Sequence, residues 1–169
     1  DPYYKIFALE ECRQIAKSCL DHTKEIKNNY TDIVIVAMGG AVLNPQFILS
    51  LCTEYKSDIN IHFLHNTDPI YLENLLSKIS LKNTAIIAIS NSGNTLETNS
   101  LVGVMISEYK KHKIDSFGKH FYCITNTQTG ILYKIAKSID ATIITHQEQI
   151  SGRYSGLSNV TSFIAQIVG

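Results

Sequence analysis

Five short apolar stretches punctuate this chain. They are residues 32–37 (DIVIVA), 59–64 (INIHFL), 84–89 (TAIIAI), 120–125 (HFYCIT) and 141–146 (ATIITH). Each is rich in β-branched or aromatic residues, and most of them lack strict polar alternation. That is the pattern of strands buried on both faces. Between them the apolar positions fall at helical spacing. The helical segments expected are 6–20, 46–55, 68–79, 95–112 and 130–139, and a last one from Tyr154 onward with apolar residues at 157, 160, 164, 167 and 168. In the third of these, Asp68 sits where an N-cap is needed and Pro69 at the first helical position, a good start signal. In the fourth, positions 101, 102, 105, 106 and 109 share one face, as an amphipathic helix requires.

Buried strands alternating with helices imply an α/β fold with a parallel sheet covered on both sides. Right-handed crossovers then give a doubly wound, five-stranded sheet, in the flavodoxin-like order 2-1-3-4-5. No internal repeat, low-complexity tract or linker interrupts the pattern, so residues 1–169 read as a single domain. The helical pattern still runs at Gly169, and the expectation is the N-terminal part of a longer, two-domain protein.

Composition narrows the function classes. With 15 basic and 15 acidic residues, formally neutral overall, bulk charge offers no argument for a nucleic-acid or membrane partner. The basic cluster KKHK at 110–113 reads as the solvated end of a helix, where cations are favoured. No apolar run approaches the roughly 20 residues of a membrane span. Cys12, Cys19, Cys52 and Cys123 show no paired spacing, so reduced thiols and a cytoplasmic setting are expected. His62 and His65 are three apart around a strand end, which places them on opposite faces and argues against a shared metal.

Candidate chemistry follows from topology. In an open parallel sheet, ligands bind beyond the carboxyl ends of the strands near the switch point. That selects the turn after strand 1, MGGAVLNP (38–45), and the turn after strand 3, SNSGNT (90–95). Ser90, Ser92 and Thr95 bring hydroxyls, Asn91 and Asn94 bring amides, and Gly93 permits a tight turn. The helix that follows offers unpaired N–H groups and the positive end of its dipole. Together they form an anion site suited to a phosphate. Asn94 or Thr95 is also expected to cap that helix, with Glu97 in its first turn. Gly39 and Gly40 would let a ligand approach the backbone closely. A third segment, SGRYSGLSNV (151–160), follows strand 5 and carries Arg153 between Gly152 and a helical pattern. Nothing in these segments resembles a P-loop or a dinucleotide fingerprint, and no cofactor or metal is expected.

Taken together, the three segments resemble the phosphoglucose isomerase family of the sugar isomerase (SIS) domain superfamily. MGGAVLNP is similar to the family's glycine-glycine-serine turn, ISNSGNTLET to its phosphate loop, and SGRYSGLS to its Gly-Gly-Arg-Tyr-Ser signature. FLHNTDPIYLENLLSKI resembles the stretch between the first two, and the resemblance spans residues 33–169. It implies aldose–ketose interconversion of glucose 6-phosphate and fructose 6-phosphate, in glycolysis and gluconeogenesis, without a cofactor. Position by position, it implies that Ser90, Ser92, Thr95 and the Asn91 backbone hold the phosphate. Gly39, Gly40 and Gly152 would line the sugar, and Glu97 would brace the loop. Arg153 would stabilise the enediolate, a permanent cation aimed at charge that develops near the transition state. A homodimer is implied for the full-length enzyme.

The sequence departs from the family at Ala41, where a serine is usual, and at Asn91, where many members have a lysine. The loop in that respect is closer to general sugar isomerase domains, including dual-specificity phosphoglucose/phosphomannose isomerases. The family's glutamate base, and the histidine and lysine used in ring opening, have no motif-matched position. His146, Glu148 and Lys137 are of the right types, but nothing in their sequence setting promotes them. The chain alone is therefore expected to bind sugar phosphate weakly without turnover. A non-catalytic sugar-phosphate sensor is the alternative, although Arg153 would have little use in one.

Overall fold

The computed structural model describes residues 9–51, 58–146 and 158–168. Its backbone is a five-stranded sheet, β1 (Asp32–Val36), β2 (Asn60–Leu64), β3 (Thr84–Ile89), β4 (Phe121–Thr125) and β5 (Thr142–Thr145). The strands are all parallel and stand in the order β2-β1-β3-β4-β5. The expected doubly wound topology is therefore present, with β3 at the centre. β1, β3 and β4 are buried along their whole length, which is why their sequences are continuously apolar.

Among the described residues, six α-helices cover the sheet: α1 (Leu9–Asn29), α2 (Gly40–Leu51), α3 (Pro69–Leu76), α4 (Leu96–Lys111), α5 (Ile131–Ser138) and α6 (Asn159–Val168). Alternate strand residues feed two cores, as the period of two demands. One face sends Ile33, Ile35, Ile87, Ile89 and Ile124 against Cys19 and Ile26 of α1, Val42 of α2, and Val160 and Phe163 of α6. The other sends Val34, Val36, Ile86, Ala88 and Cys123 against Leu75 of α3, Val102 and Met105 of α4, and Leu132 and Ala136 of α5. Burying a side chain of this size stabilises by about 1.5–3 kcal/mol, so each face is held by many comparable contributions.

Local signals explain most boundaries. Asp68 caps α3, its carboxylate accepting the Ile70 N–H at 2.9 Å, and Pro69 opens the helix. On α4 the residues at 101, 102, 105 and 109 are buried, and Ile106 is half-buried, as the spacing predicts. The basic cluster at 110–113 closes α4, with Lys110 and Lys111 in its last turn and His112 at the C-cap. Three helix boundaries differ from expectation, the smallest being that α3, expected to reach Ile79, ends at Leu76 with Ser77 as its C-cap. The helix expected over 46–55 begins at Gly40 instead and carries Pro45 inside it. Proline normally argues for a break because it forfeits one backbone bond; here Pro45 is buried, so packing offsets that loss. Residues 52–55 lie outside the described residues. The leading helix, expected over 6–20, continues to Asn29, because Thr23 and Ile26 extend its buried face past a charged stretch.

Candidate functional site

β1 and β3 lie side by side, and β1 turns outward to β2 while β3 leads on to β4. Their carboxyl ends therefore open on the switch point of the sheet. After β3 the chain enters the 90–95 turn. Ser90 is held by its N–H donating to the Ile124 carbonyl at 3.1 Å, so the end of β3 is locked to the end of β4. Gly93 then takes φ +68° and donates its N–H to the Ser90 carbonyl at 3.0 Å. Few residues other than glycine adopt that backbone.

The turn is braced from the neighbouring loop. The Gly93 carbonyl accepts the Leu132 N–H at 2.9 Å and the Asn99 side-chain amide at 3.2 Å. The Asn91 carbonyl accepts the Asn126 N–H at 3.1 Å. Gly93 and Gly130 approach so closely that a Cβ built on Gly130 would lie 2.9 Å from the Gly93 Cα. The 90–95 turn and the β4–α5 loop thus form one interlocked unit rather than a free flap.

The hydroxyls converge. Ser90 is 3% exposed, and its Oγ lies 2.9 Å from the Thr95 Oγ1. The Ser92 hydroxyl accepts the Asn94 N–H at 3.2 Å. Capping corrects an expectation. Thr95 occupies the N-cap position of α4, but its side chain makes no capping bond there. Asn94 does not cap α4 either; its amide oxygen accepts the Ile131 N–H of α5 at 3.1 Å. The physical reason is that Thr95 faces Ser90 across the turn and Asn94 faces the adjacent helix start. Neither side chain therefore occupies the α4 N-terminus, whose first-turn N–H groups have no partner within the helix.

These residues wall a cleft of about 250 Å3. Ser90, Asn91, Ser92 and Thr95 line one side. Met38 and Ala41, on either side of the Gly39–Gly40 turn, line another, and His146 closes the end of β5. Gly39 has φ +58° and accepts the Val42 and Leu43 N–H groups through its carbonyl, both at 3.0 Å, while Gly40 is the first residue of α2. The structure thus brings the first and third-strand segments together, as the topology implied. Glu97 lies exposed in the first turn of α4, and among the described residues no hydrogen bond links it to the turn. Gly152, Arg153 and Glu148 lie outside the described residues. Lys137 is on α5 over the Tyr133 ring, 5.8 Å from its centroid, and does not line the cleft.

His146 is not singled out by its sequence setting, yet it is 2% exposed on the cleft wall. The strand-end rule points to the switch point between β1 and β3 and does not select the end of β5; the cleft reaches His146 only because β5 lies beyond β4 on the same side of the sheet order as β3. His62, by contrast, lies 3.0 Å from the buried Asp32 carboxylate, which also accepts from Asn60 and Thr31. That cluster secures the β1–β2 edge. Among the described residues, no group of three histidine, cysteine or acidic side chains could hold a metal ion. Cys19 and Cys123 are buried thiols.

The family model for phosphoglucose isomerase matches residues 14–169, a span that contains all three candidate segments. The glucose-6-phosphate isomerase of Methanocaldococcus jannaschii is 33% identical over 136 residues, covering 80% of this chain and 32% of that protein. The chain thus spans about a third of the length of this relative. Among solved structures, a glucose-6-phosphate isomerase from Chlamydia trachomatis superposes with a TM-score of 0.81 at 24% identity, over 92% of this chain and 30% of that one. The sugar isomerase domain of an RpiR transcription factor from Sphaerobacter thermophilus shares the fold more loosely. Its TM-score is 0.55 at 14% identity, over 97% of this chain and 88% of that one. The parallel five-stranded sheet, the glycine turn beside a hydroxyl-rich loop and the matched family model agree: the chain belongs to the phosphoglucose isomerase family.

Proposed function

We propose that this chain is the N-terminal sugar isomerase domain of a glucose-6-phosphate isomerase. It interconverts glucose 6-phosphate and fructose 6-phosphate only as part of the longer protein. The observation that carries this is the Ser90–Thr95 hydroxyl pair, 2.9 Å apart, at a helix N-terminus that neither Thr95 nor Asn94 caps. Hydroxyls and backbone N–H groups converging on one point form a cradle for a phosphoryl group. Ser90, Asn91, Ser92 and Thr95 take the phosphate, and Gly39, Gly40 and Gly152 border the sugar. Arg153, which follows the fifth strand in sequence, is assigned to the negative charge of the enediolate. An arginine suits that role because it stays charged and presents a planar fork to two oxygens. Proton transfer between C1 and C2 and ring opening fall to residues elsewhere in the intact protein, acting as a cytoplasmic homodimer without a cofactor.

The test is isomerase turnover. In the intact protein, Arg153→Ala lowers kcat by about 10²-fold or more, the scale for losing one transition-state charge contact. A near-normal kcat removes Arg153 from the mechanism. The 169-residue chain alone binds sugar phosphate without turning it over, and turnover by the isolated chain would overturn the division of labour.

A second reading, a non-catalytic sugar-phosphate sensor, is favoured by one observation. The sugar isomerase domain of the RpiR transcription factor from Sphaerobacter thermophilus is matched over 88% of its length by this chain. An intact protein that binds glucose 6-phosphate but shows no isomerase activity supports that reading instead.

A further inference from the structure

The cradle has an unexplained electrostatic feature. A hexose 6-phosphate brings nearly two negative charges near neutral pH. The four residues of the 90–95 turn that line the cleft are all neutral. So are Met38, Ala41 and Ile89, which also line it. Among the described residues lining this cleft, His146 is the one whose side chain can carry a positive charge.

Its placement is fixed by the sheet. The Ser90 N–H donates to the Ile124 carbonyl at 3.1 Å, and the His146 N–H donates to the next carbonyl, Thr125, at 2.9 Å. Both residues therefore hang from consecutive carbonyls at the end of β4, one on each side of it. Two strand spacings separate them, about 10 Å between backbones, with the cleft between. His146 is 2% exposed, so its position is set by packing rather than by chance exposure. A donor held in place costs little extra ordering when a ligand arrives.

We propose that His146 is a further ligand-binding residue: it donates a ring N–H to the phosphoryl group from the β5 side, opposite Ser90 and Thr95. The assignment rests on the phosphate cradle proposed above. It supplies, from the far wall, a strong donor that Asn91 does not provide from within the turn. An imidazole is well suited, because either ring nitrogen can donate and the charged form donates from both. Hydrogen bonds to a charged oxyanion are about twice as strong as neutral ones.

The experiment follows the imidazole nitrogens of the intact protein by long-range 1H–15N spectra, together with the backbone amides of the 90–95 turn. The ligands are inorganic phosphate and glucose 6-phosphate, with glucose as the uncharged control. His146→Phe, which keeps a ring but no N–H, identifies the signal and is titrated in parallel. The expected result is that the His146 nitrogens shift with both phosphates and not with glucose, and that His146→Phe weakens glucose 6-phosphate binding about tenfold or more. If the turn amides shift while His146 stays silent, and His146→Phe binds normally, the assignment of His146 fails and the cradle stands. If neither responds, both fail. Should His146→Phe not fold, His146→Gln identifies the signal and the wild-type spectra decide.

Discussion

Gly93→Ala tests whether the 90–95 turn is as tightly built as its geometry implies. Two separate costs arise. Gly93 has φ +68°, and an L-residue there loses about 1–2 kcal/mol, partly offset by about 0.4–1 kcal/mol from a less flexible unfolded chain. The added methyl would also lie 3.0 Å from the Thr125 Oγ1 and 3.1 Å from the Gly130 Cα. Overpacking of this kind costs about 1–3 kcal/mol more. Gly39→Ala is the matched control, since Gly39 has φ +58° but nothing within 4 Å of the place its methyl would take. The two variants therefore share the backbone cost and differ in the steric one. Thermal unfolding should place Gly93→Ala below Gly39→Ala by about 2 kcal/mol, roughly 4–8 °C for a domain of this size. Because the methyl pushes the turn away from Gly130, sugar-phosphate affinity should fall as well. Equal melting temperatures for the two variants would refute the close approach of the two loops.

Gly118→Ala should be far more damaging, because its methyl would collide with the backbone carbonyl of Ile139. A loss beyond about 4 kcal/mol is expected, and a melting temperature within a few degrees of wild type would show that the Ile139 backbone can move aside. Cys123 is completely buried and its thiol is pushed by burial from 9.0 up to about 12. The unfolded thiol ionises first as pH rises, so its contribution to stability is intact below pH 9.0 and is lost between there and about 12. Tyr109 and Tyr122, also pushed upward by burial, add the same sign above pH 10.0. Urea midpoints should therefore fall from pH 8 to pH 10, less steeply in Cys123→Ala; an identical slope in that variant would exclude the thiol as a source.

The five strands were legible because three of them are buried on both faces, and nothing but apolar β-formers suits such positions. The start of α2 was not, because Pro45 reads locally as a breaker and only its burial offsets the lost bond. The end of α1 was not legible for a related reason: Thr23 and Ile26 are two buried positions in a mostly polar stretch. At the site, Ser90 and Thr95 could be read from composition and their place after a strand. The role of Asn94 could not, since its partner Ile131 is 37 residues away and belongs to another helix. His146 looked like any strand-end residue, and only the sheet order carries it to the same cleft as Ser90.

The central claim is that the Ser90–Thr95 turn holds the phosphate of a hexose 6-phosphate. The most direct measurement is calorimetric titration of the intact protein with 6-phosphogluconate, an anionic analogue, for wild type, Ser90→Ala and Thr95→Ala. Each variant removes one hydroxyl from a charged oxygen, a bond worth about 1.5–3 kcal/mol, so affinity should drop about tenfold or more while melting temperatures stay close to wild type. Unchanged affinity in both variants would contradict the assignment of this turn as the phosphate site.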